Sequence, residues 1–173
     1  GEHRALTLAA VILTTELLGA DLSAALDLPD DVVPHGRGNT MRCGGVELID
    51  DSYNANPASM HAALRAFAET TRSGRKFVLL GEMMELGESS SAAHKEVLDA
   101  LEPFDGCFLV GAGFAEWLNS DSHFTAQADE PLIQRISDAL KPGDSLLIKG
   151  SNRVFWASSF VQQLAQALQM KQA

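Results

Sequence analysis

"KFVLLGEMMELGESSSAAHKEVLDALEPFDGCFLVG", residues 76–111, decides the fold class. Its two apolar runs, 76–81 and 107–111, are short and continuous rather than alternating. Strands read this way when both faces of a sheet are covered, as in a parallel sheet flanked by helices. Residues 90–102 between them are rich in helix formers, so the stretch forms a strand–helix–strand unit.

The pattern continues on either side. Upstream, "TMRC" (40–43), Gly44-Gly45 and "VELID" (46–50) predict a β-hairpin with a tight glycine turn, followed by a helix over 57–71. Downstream come a helix over 113–119, a short strand near 123–126, a helix over 130–140, a strand over 145–150 and a helix over 153–169. Alternation at this spacing means a doubly wound, mostly parallel α/β sheet with an N-terminal β-hairpin. The beginning of the chain differs. Residues 5–18 predict a helix ended by Gly19, and "DLSAALD" (21–27) a second short helix begun by Asp21. "LPDDVVPHGRGNT" (28–40), with its prolines and glycines, reads as a domain boundary or hinge.

A chain of 173 residues makes one full domain, or one domain plus a piece of another. A net charge of −10 argues against a nucleic-acid partner, which is bound through clustered Lys and Arg. It leaves local anion sites open, because a helix N-terminus and one lysine suffice. Cys43 and Cys107 form no metal-ligand or CxxC spacing, which fits a reducing, cytoplasmic setting. The longest apolar stretch, "LTLAAVILTTELLGA" (6–20), is interrupted by Thr and Glu and too short to cross a bilayer, so no membrane insertion is expected. The chain has no initiating Met and opens inside a helix, which predicts a piece of a larger protein.

In doubly wound sheets ligands sit beyond the carboxyl ends of the strands. That rule selects four segments: "IDDSYNANP" (49–57), "GEMMELGE" (81–88), "GAGFAE" (111–116) and "KGSN" (149–152). In the first, Asn56 before Pro57 makes a sound N-cap. Capping leaves Asp50, Asp51, Tyr53 and Asn54 unexplained. In the second, Glu82, Glu85 and Glu88 surround two methionines that serve as core filler, and His94 beyond them reads as a packed or surface residue. "VGAGFAE" starts like a dinucleotide fingerprint, but Glu116 stands where the third glycine belongs, and a tight turn explains it. "LLIKGSN" places Lys149, a flexible Gly150 and the capping residues Ser151 and Asn152 at a helix start, which makes an anion or carboxylate cradle. Arg37, fourteen residues before Asp51, borders the same cleft if the hairpin folds back. No Ser/His/Asp triad or metal cluster is spelled out by spacing.

"IDDSYNANPASM" (49–60), "LGEMMELGESSSAAH" (80–94) and "LIKGSN" (147–152), in this order and spacing, resemble the C-terminal part of the Mur ligases. Within that family the match is to the branch that adds a D-alanyl-D-alanine dipeptide, and it runs over nearly the whole chain. The resemblance implies a Rossmann-like C-terminal domain over 35–173, preceded in 1–34 by the helical tail of a central ATPase domain. It implies an ATP-dependent amide ligase in peptidoglycan precursor synthesis, in which UDP-MurNAc-tripeptide is activated as an acyl phosphate and attacked by D-Ala-D-Ala. Arg37, Asp51, Tyr53, Asn54 and Asn56 then fall on ATP-binding positions. Lys149, Ser151 and Asn152 fall on the element associated with D-Ala-D-Ala. The sequence contains no Gly-x-x-x-x-Gly-Lys-Ser/Thr loop. Phosphoryl transfer needs that loop and Mg²⁺, so the resemblance places catalysis and most of the metal site in the central domain. By that implication this stretch alone is inactive, with no catalytic residue and no metal ligand of its own. The chain departs from the family at Arg4 and Thr7, where asparagines near the nucleotide are usual, at Glu82 for a common Asp, and in "NRVFW" (152–156). The missing asparagines give some weight to the alternative reading, a non-catalytic α/β module binding a nucleotide or dipeptide, against the leading reading of a ligase domain. A different Mur or folate-type ligase is disfavoured by "YNANP".

Overall fold

A computed structural model of the chain describes residues 2–23, 34–117 and 124–171, with side chains of the first helix from Leu6 onward. The chain divides into two units, Gly1–Pro34 and His35–Ala173. In the first, helix α1 spans Glu2–Leu17. Gly19 closes it at φ +66°, with Ala20 N–H donating to Thr15 O and Gly19 N–H to Glu16 O. This closure requires a left-handed residue, which glycine adopts at little cost. Leu6, Leu8, Val11, Leu13 and Leu17 of this helix are exposed. The second short helix expected from "DLSAALD" lies, beyond Ser23, outside the described residues.

The second unit is built on six strands: β1 (Asn39–Cys43), β2 (Val46–Asp51), β3 (Lys76–Gly81), β4 (Gly106–Val110), β5 (Phe124–Thr125) and β6 (Ser145–Lys149). They lie in the order β1-β2-β6-β3-β4-β5. β1 pairs antiparallel with β2 and every other pair is parallel. Gly44 and Gly45, at φ +54° and +70°, supply the two left-handed positions a two-residue hairpin turn demands.

Four helices cover the sheet: α2 (Pro57–Glu69), α3 (Ser90–Asp99), α4 (Glu130–Ala139) and α5 (Phe160–Met170). α2 and α3 bury Met60, Leu64, Phe67, Ala93 and Val97 against Val78, Leu80, Leu109 and Leu147 on one face. On the other face, α4 and α5 bury Leu132, Ile133, Ile136, Phe160, Val161, Leu164 and Leu168 against Val46, Leu48, Leu79 and Ile148. Each buried apolar side chain of this size contributes about 1.5–3 kcal/mol relative to exposure. The continuous apolar strands thus have two partners, as the α/β reading requires.

Two predicted helices change form. The segment expected to be helical over 113–119 is a 3₁₀ turn over Ala112–Trp117, and 118–119 lie outside the described residues. The helix expected over 153–169 begins only at Phe160. Before it, Phe155 is drawn fully into the core against Gly81 and Gly150, and Ser159 turns left-handed at φ +54°. Carbonyls are reached at mixed spacings: Val154 N–H to Ser151 O, Trp156 N–H to Asn152 O and Ala157 N–H to the same Asn152 O. Anchoring one ring over two glycines distorts the turn before a regular helix can start.

Candidate functional site

β3 hands its chain to α3 on one face, while its neighbour β6 hands its chain to α5 on the other. The crevice between their carboxyl ends is the topological switch point, where open α/β sheets bind ligands. Gly81 and Gly150 let the two strand ends meet: a Cβ on Gly150 would lie 2.8 Å from the Gly81 Cα and 2.7 Å from the Phe155 ring. Ser151 N–H then donates to Glu82 O at 3.3 Å, and Glu82 N–H to Val110 O at 2.8 Å. Three strand ends are tied into one rim.

Successive residues of a strand face opposite sides of a sheet, so the two acids of β2 part company. Asp50 is 1% exposed. Its carboxylate accepts from the Ser52 hydroxyl at 2.5 Å, Ser52 N–H at 3.2 Å and Gly36 N–H at 3.1 Å. Asp50 therefore pins the segment entering the domain to the β2–α2 turn. Asp51 faces the crevice, and Lys149 Nζ, from a residue only 3% exposed, donates to its Oδ2 at 2.7 Å and to Asn54 O at 3.1 Å. A buried ammonium needs such partners, because leaving it unpaired costs several kcal/mol. The two groups that the sequence reading divided between nucleotide and dipeptide are one ion pair.

The remaining expected residues spread around this pair. The Arg37 guanidinium lies 4.2 Å over the Tyr53 ring, a cation–π contact. Tyr53 N–H donates to Gly36 O at 2.9 Å, holding Arg37 at the rim. Asn54 is exposed and gives the pair only its backbone carbonyl. Asn56 caps α2: its Oδ1 accepts from Ser59 N–H at 2.9 Å while Ser59 Oγ accepts from Asn56 N–H at 3.1 Å. Ser151 is buried in the rim and Asn152 is exposed at the head of the turn into α5.

Two supporting residues were not placed by sequence. His94, fully buried, accepts from Met83 N–H through Nε2 at 3.0 Å. Its Nδ1 stands 2.7 Å from Ser90 O, which fixes the neutral tautomer with the proton on Nδ1. This ring, edge-on to Phe114 at 4.7 Å, holds the Met83 end of the β3–α3 loop. Trp156, half exposed, meets Tyr53 edge-on at 5.8 Å. The sequence flagged it only as part of an unusual "NRVFW". Glu82 turns its carboxylate away, accepting from Gly113 N–H at 3.0 Å. Among the described residues no group of three or more His, Cys, Asp or Glu can hold a metal, so these side chains do not fit a Mg²⁺ site. Nor is any described helix long and apolar enough to cross a membrane.

A family model described as "Mur ligase, glutamate ligase domain" matches residues 36–152. A UDP-N-acetylmuramoyl-tripeptide–D-alanyl-D-alanine ligase of Mycobacterium tuberculosis is 33% identical over 88% of this chain and 36% of its own length. The same-named protein of Rickettsia prowazekii is 34% identical over 88% of this chain and 35% of its own. Among solved structures, MurF ligase from Thermotoga maritima in complex with ADP superposes with a TM-score of 0.81 at 25% identity, covering 96% of this chain and 39% of that one. MurF from Acinetobacter baumannii gives 0.77 at 27% identity, with 96% and 38% covered. The chain thus spans little more than a third of the relatives it matches.

Proposed function

The chain belongs to the Mur ligase family, and on that premise we propose that it is the C-terminal part of an ATP-dependent ligase joining D-Ala-D-Ala to UDP-MurNAc-tripeptide. The observation that carries this reading is the Asp51–Lys149 pair, which unites "IDDSYNANP" and "KGSN" at the switch point of the sheet. Residues 35–173 are the mobile C-terminal domain. Residues 1–34 are the tail of the central ATPase domain, a reading supported by the exposed leucines of α1, whose burying partner belongs to that domain.

In this reading ATP supplies the phosphoryl group that activates the tripeptide carboxylate for attack by the dipeptide amine. The residues of this chain bind and position. Arg37, held against Tyr53, offers a guanidinium to phosphate oxygens. Asp51, fixed through one oxygen by Lys149, keeps its other oxygen for a ribose or nucleotide donor. Asn54 and Asn56 border the same loop. Lys149, Ser151 and Asn152 form the floor on which the dipeptide arrives, with Lys149 acting through Asp51 and the Asn54 carbonyl. Mg²⁺ belongs to the central domain, and the whole protein works on cytoplasmic precursors.

The test is product analysis with the full-length protein. Mass spectrometry should detect UDP-MurNAc-pentapeptide only when ATP, UDP-MurNAc-tripeptide and D-Ala-D-Ala are all present. A folded protein that makes none, while still binding nucleotide or dipeptide, would be a binding module instead.

A further inference from the structure

The turn between β6 and α5 contains a feature that the Asp51–Lys149 pair does not use. Phe155 is fully buried over Gly81 and Gly150, yet the next residue, Trp156, leaves 48% of its surface in solvent. Trp117, 36% exposed, is accounted for locally: its indole N–H donates to Ser91 O at 3.1 Å and Lys95 lies over its ring. Trp156 has no such explanation. Its ring meets only the edge-on Tyr53, and its indole N–H donates to nothing among the described residues.

The ring is also held in place before any ligand arrives. Trp156 N–H is bonded to Asn152 O at 3.1 Å, and the buried Phe155 fixes the backbone beside it. A rigid aromatic surface contributes contact area at small entropic cost. Three residues earlier on the same turn, Arg153 is exposed and makes no ion pair among the described residues. An apolar ring and an uncommitted guanidinium on one turn suit a ligand with a small aliphatic side chain next to a carboxylate.

We propose that Trp156 and Arg153 form the specificity subsite for the tail of the incoming dipeptide, with the indole packed on the methyl group of its C-terminal residue and the guanidinium on its carboxylate. The proposal rests on the ligase reading above and adds to it the residues that select the amine. The turn hangs directly from the Lys149–Gly150–Ser151 rim, so a dipeptide bound there would direct its amine into the crevice.

The experiment is steady-state kinetics of the full-length ligase with each substrate varied in turn. Trp156→Ala should raise KM for D-Ala-D-Ala about tenfold, the loss expected of one aromatic contact, and leave KM for ATP and for UDP-MurNAc-tripeptide within about twofold. Trp156→Ala should also improve the relative use of dipeptides with a larger C-terminal side chain, and Trp156→Phe should restore most of the dipeptide affinity. Arg153→Gln should abolish the preference for D-Ala-D-Ala over its C-terminal amide. D-Ala-D-Ala should change the indole emission of the wild-type protein more than that of Trp156→Ala, a difference that reads binding at this residue without turnover. An unchanged dipeptide KM in an active Trp156→Ala enzyme would overturn the proposal alone, as would a rise confined to the KM for ATP. A folded wild-type enzyme without dipeptide-dependent turnover would overturn the ligase reading and the proposal together.

Discussion

Replacing Lys149 by Met keeps an unbranched side chain of similar length and removes the charge, so it isolates the ion pair. In the native crevice the ammonium is 3% exposed and donates to Asp51 at 2.7 Å and to Asn54 O at 3.1 Å. Breaking a fully buried pair costs about 3–5 kcal/mol. Asp51, however, retains 29% exposure, so water partly rehydrates the abandoned carboxylate. The expected loss is therefore roughly 2–3 kcal/mol. With a urea slope of about 1.5–2 kcal/mol per molar, the midpoint for the 173-residue chain falls by roughly 1–2 M. The Asn54 carbonyl also loses its donor, so amide exchange should accelerate in the 52–56 turn while the α4 and α5 face stays protected. Asp51→Asn in the same background completes a double-mutant cycle, and the coupling should be about 1–2 kcal/mol. A loss below about 0.5 kcal/mol, or strictly additive effects, would refute the claim that this pair organises the crevice.

Gly150→Ala should destabilise by about 1–3 kcal/mol, because the new methyl meets the Gly81 backbone and the Phe155 ring at once; chemical denaturation measures it. Asn56→Ala should cost about 1 kcal/mol in the same assay by removing the α2 cap, whereas Asn56→Asp should retain most of it. At the opposite end of the sheet, burial raises the Asp144 carboxyl, but hydrogen bonds from the Arg75 side chain and from the Lys141 and Arg75 amides outweigh it, leaving its pKa below the ordinary value. A depressed carboxyl contributes stability above its unfolded pKa and loses it as pH falls through the folded one. Acid unfolding below about pH 4 should therefore be steeper in the wild type than in Asp144→Asn, which is less stable at neutral pH.

The sheet was legible because its strands are continuous apolar runs: "FVLL", "FLV" and "LLI" lie buried on both faces. The hairpin was legible because Gly44-Gly45 answers one turn type, and the α2 start because Asn56 and Pro57 are cap chemistry. The turn before α5 was not. "NRVFWASSFVQQL" has helical spacing, and only the three-dimensional closeness of Gly81, Gly150 and Phe155 shows why the first eight residues do not join the helix. The crevice was half legible. Topology predicted which strand ends matter, and the motifs marked Asp51 and Lys149, but their pairing spans ninety-eight residues of chain and depends on β2 and β6 lying side by side. The resemblance marked Asp51 and left Asp50 without a role; alternation along β2 sends Asp50 to a structural tie and Asp51 to the crevice. His94 shows the same limit, since a lone histidine carries no signal of the Met83 amide it receives.

The central claim is that this crevice is one wall of an amide-ligase active site, and phosphate release by the full-length protein tests it most directly. Wild-type release should require UDP-MurNAc-tripeptide and D-Ala-D-Ala together. Asp51→Asn, which preserves an acceptor for Lys149, should fold and yet lose at least about a hundredfold in turnover. Release that is independent of the dipeptide, or an Asp51→Asn enzyme as active as the wild type, would contradict the account.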